Sequence, residues 1–339
     1  MTAEHDDVRD LLAAWAFGAL PPDERRRIPP HLAECESCAA EAEELRETVR
    51  LLDGAASDLP ERNGGVTHGT ASVLSAARSA RRPAAPHVAA HAAPYAAAVS
   101  GLSALLAEAE GRWGTPVVHD WDVHATVAHL LAADEHLAVL LGLDSRVPAS
   151  RTDGADWEAA WDLRTADVIA HEYGRGPQET VAAWSAQAEA LLGTPEARDP
   201  ALAARAVTLM GARLPVSDHF VVRAFETWIH TDDIGRALGV PVPPPPEEHL
   251  WQQVRLAVRI LGAALGPTAP PVLLAVTGGD EWVLGSEDEP VRAELALDPV
   301  DFCLLVGGRH SPREVPRGES GDTDAVRNVL ELAASLAWL

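Results

Sequence analysis

The residues best suited to chemistry in this chain are His31-Leu-Ala-Glu-Cys35-Glu-Ser-Cys38. Thiolate and imidazole are ligands for Zn²⁺, and a closed structural zinc site takes four such donors. Positions i, i+4 and i+7 of a helix share one face, so these three side chains are expected to converge. His5, on a helix upstream, is the candidate for the fourth ligand. Zinc would then staple the first helix to the second. A segment this short has little core, so metal binding would supply much of its folding free energy. The competing reading is two buried free cysteines beside an incidental histidine. A thiolate pair can also be oxidised with release of zinc, which would make the segment a redox switch.

A second constellation lies further on. RAFETWIHTDDIGRALG places Glu226 and His230 at i, i+4, on one face of a helix. WDVHATVAHLLAADEHL offers His129 on the apolar side of another helix. Buried among apolar residues, a glutamate and a histidine need partners. Two facing helices that give one His and one Glu-x3-His pair make a three-donor site with an open position, as catalytic metal sites have. His124, His136, His171 and His219 are expected to face solvent or cap helices; the lesser alternative for His136, seven residues after His129, is a substitute ligand. The tryptophans (Trp113, Trp121, Trp157, Trp161, Trp184, Trp228) are expected in the core or on cleft walls, and Cys303, in VDFCLLV, as a buried thiol.

Composition narrows what these sites can serve. A chain of 339 residues, 47% hydrophobic, is expected to fold as two or three globular domains. It has no lysine: 27 arginines face 51 acidic residues, a formal charge of −24. Such a body repels phosphate backbones, which argues against direct nucleic-acid binding and leaves a basic protein as a possible partner. No apolar run reaches the roughly 18–20 residues of a membrane helix, and MTAEHDDVRD has no signal-peptide pattern. A cytoplasmic protein is expected. Three cysteines exclude a disulfide framework.

The elements that must position the sites follow from periodicity. A first helix is expected through DVRDLLAAWAFGAL, capped by Asp6 or Asp7 and ended by Pro21-Pro22. The cysteine-bearing stretch comes next, its helix begun or kinked at Pro29-Pro30. A third helix ends at Asp53-Gly54, and VTHGTASVLSAARSARR reads as a small amphipathic stretch. Ala and Pro around 83–94 suggest a linker. Segments 95–111, 123–142, 178–192 and 217–238 carry helical apolar spacing and suggest an antiparallel four-helix bundle. PVPPPPEEH reads as a stiffer linker. Beyond it a helix, three alternating segments and a last helix capped by Asp322 suggest an α+β domain. The domains expected are 1–82, 90–240 and 250–339.

HLAECESC, with His5 upstream and an acidic helix after it, resembles the zinc-containing anti-sigma domain of bacterial anti-sigma factors. The resemblance covers about residues 1–82. It implies Zn²⁺ on His5, His31, Cys35 and Cys38, a sigma factor as partner, and a sigma-contacting fourth helix at VTHGTASVLSAARSARR. From about residue 90 to 339 the chain resembles the mycothiol-dependent maleylpyruvate isomerase family, through WDVHATVAHL and the Glu-x3-His-x2-Asp element of FETWIHTDD. That resemblance implies a DinB-like four-helix bundle with a divalent metal, zinc by expectation, on His129, Glu226 and His230. It implies an acidic position at Asp233 and a sterol-carrier-like C-terminal α+β domain in which Arg309 of LLVGGRHSP stands near the active cleft. Mycothiol would be the thiol bound.

Three functions follow. The chain could be an anti-sigma factor with the thiol-binding metal domain as its input, and this is the reading favoured, because a zinc module has no evident task in a simple isomerase. It could be a mycothiol-dependent S-transferase or isomerase with an accessory zinc finger, in which Asp233 and Arg309 serve catalysis. It could be a binding protein that senses a thiol or metal without turnover.

Overall fold

The computed structural model describes residues 3–16, 20, 22–54, 88–109, 111–151 and 156–336. The chain is multidomain and mostly helical, and it divides into two compact units, Met1–Arg82 and Pro83–Leu339.

In the first unit α1 spans Ala3–Ala16, α2 Pro22–Arg25, α3 Ile28–Glu34 and α4 Glu36–Gly54. The first helix starts ahead of Asp6 and Asp7, so neither stands before it as the expected cap. Pro29 and Pro30 fall in the first turn of α3, where a missing N–H breaks no helical hydrogen bond. The expected single face through Cys38 does not form. Cys35 is extended (φ −120°, ψ 102°) between α3 and α4, although its N–H still donates to His31 O at 2.9 Å. Val8, Leu12, Leu20, Ile28, Cys38 and Ala42 make a small core, with Leu11, Trp15 and Leu45 packed on it. An exposed Arg9–Glu41 ion pair (2.8 Å) adds little to it. The expected stretch VTHGTASVLSAARSARR lies outside the described residues.

The second unit is built on four long helices: α5 (Ala93–Glu108), α6 (Val123–Leu140), α8 (Pro177–Leu192) and α11 (Val216–Leu238). Helix α11 packs on α5 and α6, and α8 on α6 and α5, which closes the ring. Most residues of α6 and α11 are buried, among them the charged or titratable His129, Asp134, Arg223, Glu226 and His230. Asp122 caps α6 by accepting the Ala125 N–H at 2.8 Å. A helix not expected from the sequence, α7 (Trp157–Tyr173), packs on α6 and is capped by Asp156. Short helices α9 (Pro195–Arg198) and α10 (Pro200–Ala203) follow α8. Two antiparallel hairpins flank the helices, β1–β2 (Pro116–Val118, Trp121–Asp122) and β3–β4 (Ala206–Leu209, Ala212–Pro215).

The proline run does not behave as a free spacer. Val240 and Val242 pack on the bundle core. A Cβ on Gly235 would meet Val242 Cγ2 at 2.4 Å, so the close approach needs glycine there. Helix α12 (Glu247–Leu265) leads into a four-stranded sheet ordered β6-β5-β7-β8 (Glu281–Leu284, Val272–Val276, Ala293–Leu297, Gly318–Gly321). β5 and β7 run parallel and the outer pairs antiparallel. Val272, Leu274, Val276, Ala293, Leu295 and Leu297 turn one face inward against α12, α13 (Pro299–Val306) and α14 (Thr323–Ser335). Asp322 caps α14 as expected. Phe225, Trp228 and Ile229 of α11 belong to this same core. One helix therefore serves the bundle with one side and the α+β part with the other.

Candidate metal centres

In the first unit, α1 and α3 supply His5 and His31, and the α3–α4 junction supplies both cysteines. Their donor atoms all lie within 4.8 Å of one another. His5 Nδ1 stands 3.6 Å from Cys35 Sγ and 3.7 Å from Cys38 Sγ, and the two imidazole rings are 5.4 Å apart. The Ser37 hydroxyl, 3.2 Å from Cys35 Sγ, lowers that thiol below its ordinary value; burial, then Cys35, raises Cys38. His31 Nε2 is buried without a hydrogen-bond partner. An unpaired buried imidazole nitrogen beside two sulfurs is the donor set of a tetrahedral zinc site. The break at Cys35 takes part in this: a continuous helix would hold Cys35 and Cys38 on fixed bearings, whereas an extended Cys35 frees its side chain to meet His5.

In the second unit, α6 carries His129 and α11 carries Glu226 and His230, with 6%, 5% and 5% exposure. Their donor atoms also lie within 4.8 Å of one another. His129 Nε2 meets Glu226 Oε1 at 2.9 Å, and Glu226 Oε2 accepts from Arg223 Nη2. His230 Nδ1 is 3.1 Å from Asp233 Oδ2, which assigns the Nδ1 proton to that bond and leaves Nε2 a free donor atom toward the cluster. Arg309, from the turn after α13, donates to both oxygens of Asp233, with its Nε at 3.1 Å. His129 Nδ1 is buried and unpaired. Two imidazoles and one carboxylate at the floor of a cleft fit a divalent cation.

The electrostatics keep these groups in ligand form. Burial is the largest single influence and would raise Glu226, but Arg223, His129 and His230 together outweigh it, and the carboxyl falls well below its ordinary value. Burial lowers His230 to about 4 despite its bond to Asp233. Asp233 is held to about 2, because its hydrogen bonds from His230 and Arg309 overcome burial.

The cluster floors a cleft of about 500 Å³. Trp121 stacks on His129 with ring centres 4.5 Å apart, and Trp161 meets it edge-on at 6.1 Å. His119, Trp157, Glu158, Asp162 and Arg309 complete the walls. The β1–β2 hairpin and α7 thus shape the entrance, and the β3–β4 turn backs Trp157. In the β3–β4 turn both central residues, Met210 (φ 51°) and Gly211 (φ 73°), are left-handed, and a Cβ on Gly211 would strike the Trp157 ring at 2.7 Å.

Every residue expected at the two centres is therefore brought to them, Asp233 and Arg309 as partners of His230. Two other expectations fail. His124 is buried and bonds Thr180 Oγ1 at 2.8 Å, and His219 is buried over Val207 O, so neither faces solvent nor caps a helix. His136 stacks on Trp161 at 4.8 Å, burial lowers it to about 4, and it stands outside the donor cluster. His171 is exposed in the last turn of α7. Trp184 and Trp228 are core residues, and Cys303 is a fully buried thiol pushed far up by burial. Trp121, Trp157 and Trp161 stand on the cleft wall, as expected of core or cleft-wall tryptophans; sequence reasoning missed Arg223, three residues before Glu226, and the acidic Glu158 and Asp162 of α7, whose i, i+3 and i, i+4 spacings were the available signals.

Two family models match the chain. Residues 6–39 match a putative zinc finger, and residues 92–235 match the mycothiol maleylpyruvate isomerase N-terminal domain. Two uncharacterized proteins of Mycobacterium tuberculosis, strains CDC 1551 / Oshkosh and ATCC 25618 / H37Rv, are each 27% identical over 223 residues, which is 62% of this chain and 81% of theirs. Crystal structures of the mycothiol-dependent maleylpyruvate isomerase and of a mutant of it are similar at TM-scores of 0.49 and 0.47. Their identities are 16% and 17%, with 69% of this chain and 93% of theirs covered. Among the described residues no helix is long and apolar enough to cross a membrane.

Proposed function

We propose that this chain is a cytoplasmic zinc-binding anti-sigma factor whose second unit takes a low-molecular-weight thiol, mycothiol, as its input. The supporting observation is the pairing of two different donor sets: a His₂Cys₂ cluster of which His31, Cys35 and Cys38 lie inside a zinc-finger match that begins just after His5, and a His₂Glu cluster inside a match to the mycothiol isomerase domain. The acidic chain suits a basic protein partner better than nucleic acid. On this reading residues 1–82 hold the sigma factor, 90–240 form a DinB-like bundle, and 250–339 form a sterol-carrier-like domain that lends Arg309. His5, His31, Cys35 and Cys38 hold zinc; His129, Glu226 and His230 hold a second divalent ion. A divalent ion there supplies Lewis acidity that keeps a thiol ionised near neutral pH. Asp233 fixes the His230 ring, Arg309 offers its guanidinium to an anionic group, and the tryptophans limit water. The test is capture: the full chain should bind its sigma factor, and a chain lacking 1–82 should not. Binding that survives the deletion refutes the regulatory role.

A second reading, a mycothiol-dependent S-transferase or isomerase, is favoured by Arg309, a partly buried cation paired to Asp233 at the cleft wall. It requires metal-loaded protein to consume mycothiol with an electrophile. It also requires His129→Ala to abolish that turnover.

A further inference from the structure

Arg223 is the largest charged side chain shut inside the bundle, with 1% exposure. An arginine buried so completely is costly unless its charge is answered. Its Nη2 donates to Glu226 Oε2, while the other oxygen of that carboxylate faces His129. A second buried carboxylate, Asp134, accepts from Tyr95 at 2.6 Å and Trp184 at 3.1 Å, and the charge of Arg223 lowers it against burial. The guanidinium thus acts on two carboxylates and touches one of them, the candidate ligand Glu226.

A carboxylate can give a metal one oxygen or two. With both oxygens of Glu226 free, the three residues could supply four donor atoms and close the site. With Oε2 engaged, they supply three. We propose that Arg223 is a positioning residue that restricts Glu226 to a single donor oxygen and so keeps one coordination position open for an incoming thiol. The proposal rests on the metal reading of the cleft. It assigns Arg223 no contact with substrate. A lysine could engage Oε2 in part, as a point donor without the fixed plane of the guanidinium.

The test uses the full chain with zinc retained in the thiolate site and cobalt(II) loaded into the cleft, where X-ray absorption at the cobalt edge reads only that ion. Loss of cobalt in His230→Ala confirms its address. In the wild type one carboxylate oxygen is expected at the cobalt, with a spectrum that changes when 2-mercaptoethanol is added. In Arg223→Met a second carboxylate oxygen should appear and the affinity for 2-mercaptoethanol should fall about tenfold or more, as losses around metal ligands do. Arg223→Lys should recover part of that affinity. A two-oxygen carboxylate in the wild type overturns the inference and leaves the metal reading intact. So does an Arg223→Met protein with unchanged spectrum and thiol affinity. Should Arg223→Met fail to fold, the wild-type spectrum decides alone. No cobalt in the cleft overturns the metal reading and this inference with it.

Discussion

The two candidate centres use the same idea in opposite ways. The first unit gathers its four donors from helix ends and a break at Cys35, over a core that among the described residues holds six buried side chains, Cys38 included. The second sets its three donors on two long helices whose residues are almost all buried before any ion is considered. In the first the metal would make the fold. In the second the fold makes the metal site. A donor set alone therefore does not say which is cause and which is consequence; the apolar area around it does.

The sharpest way to break this contrast is to remove the ions. Structural zinc contributes on the order of 10–16 kcal/mol in small zinc modules, far more than six core residues supply in a unit this size. Chelation, or Cys38→Ser, should abolish hydrogen-exchange protection across α1–α4. Protection in α6 and α11 should survive. Protected α1–α4 amides in zinc-free protein would show that the small core suffices and that the contrast is false.

The converse prediction is smaller. His129→Gln, which leaves the buried Arg223–Glu226 pair intact, should cost the cleft its ion while the metal-free unit keeps its thermal midpoint within a few degrees. Only the stabilisation by bound ion should vanish, roughly 3–4 kcal/mol at 100 to 1,000 times the dissociation constant. Collapse of the bundle in metal-free His129→Gln would place its site in the same class as the first.

How much of this could be read in the sequence follows from the same contrast. Short-range spacing reports short-range geometry, so His31, Cys35 and Cys38 were legible as a cluster, and so were Glu226 and His230. The four long helices were legible because each carries a sustained apolar period. Helix α7 was not: Trp157, Glu158, Trp161 and Asp162 alternate apolar and acidic residues along a cleft wall, so no unbroken apolar stripe marks the helix. The role of Arg223 was hidden because a buried arginine looks like a surface residue until its partners are placed. The break at Cys35 was hidden because nothing in Glu34-Cys35-Glu36 forbids a helix; the packing of α1 against α3 and α4 decides it.

A third test separates cleft shape from donor chemistry. Gly211→Ala places a methyl 2.7 Å from the Trp157 ring at φ 73°. The turn should lose about 1–3 kcal/mol. Ion affinity should hold, because no ligand moves, while thiol affinity weakens as Trp157 is displaced. Unchanged thiol binding would remove Trp157 from the working wall.

The smallest effect concerns pH and shows how the bundle tolerates buried charge without an ion. His136 and His230 titrate near 4 in the fold, against about 6.5 unfolded, so between those values the unfolded chain holds more protons. Their contribution to stability is present above pH 6.5 and is lost as pH falls toward 4. Asp134 runs the other way. Burial lifts it to about 7, against about 3.9 unfolded, so the folded state holds the extra proton and gains stability as pH falls across the same window. The opposing trends flatten the acid limb of the metal-free unit. Asp134→Asn removes only the compensating group. Denaturant titrations of metal-free protein between pH 6.5 and 4.5 should then show a steeper loss than wild type, by up to about 1.4 kcal/mol per pH unit. Parallel curves would mean that Asp134 stays ionised inside the bundle, held by Arg223, and that the arginine's charge is shared more evenly between its two carboxylates than its contact with Glu226 implies.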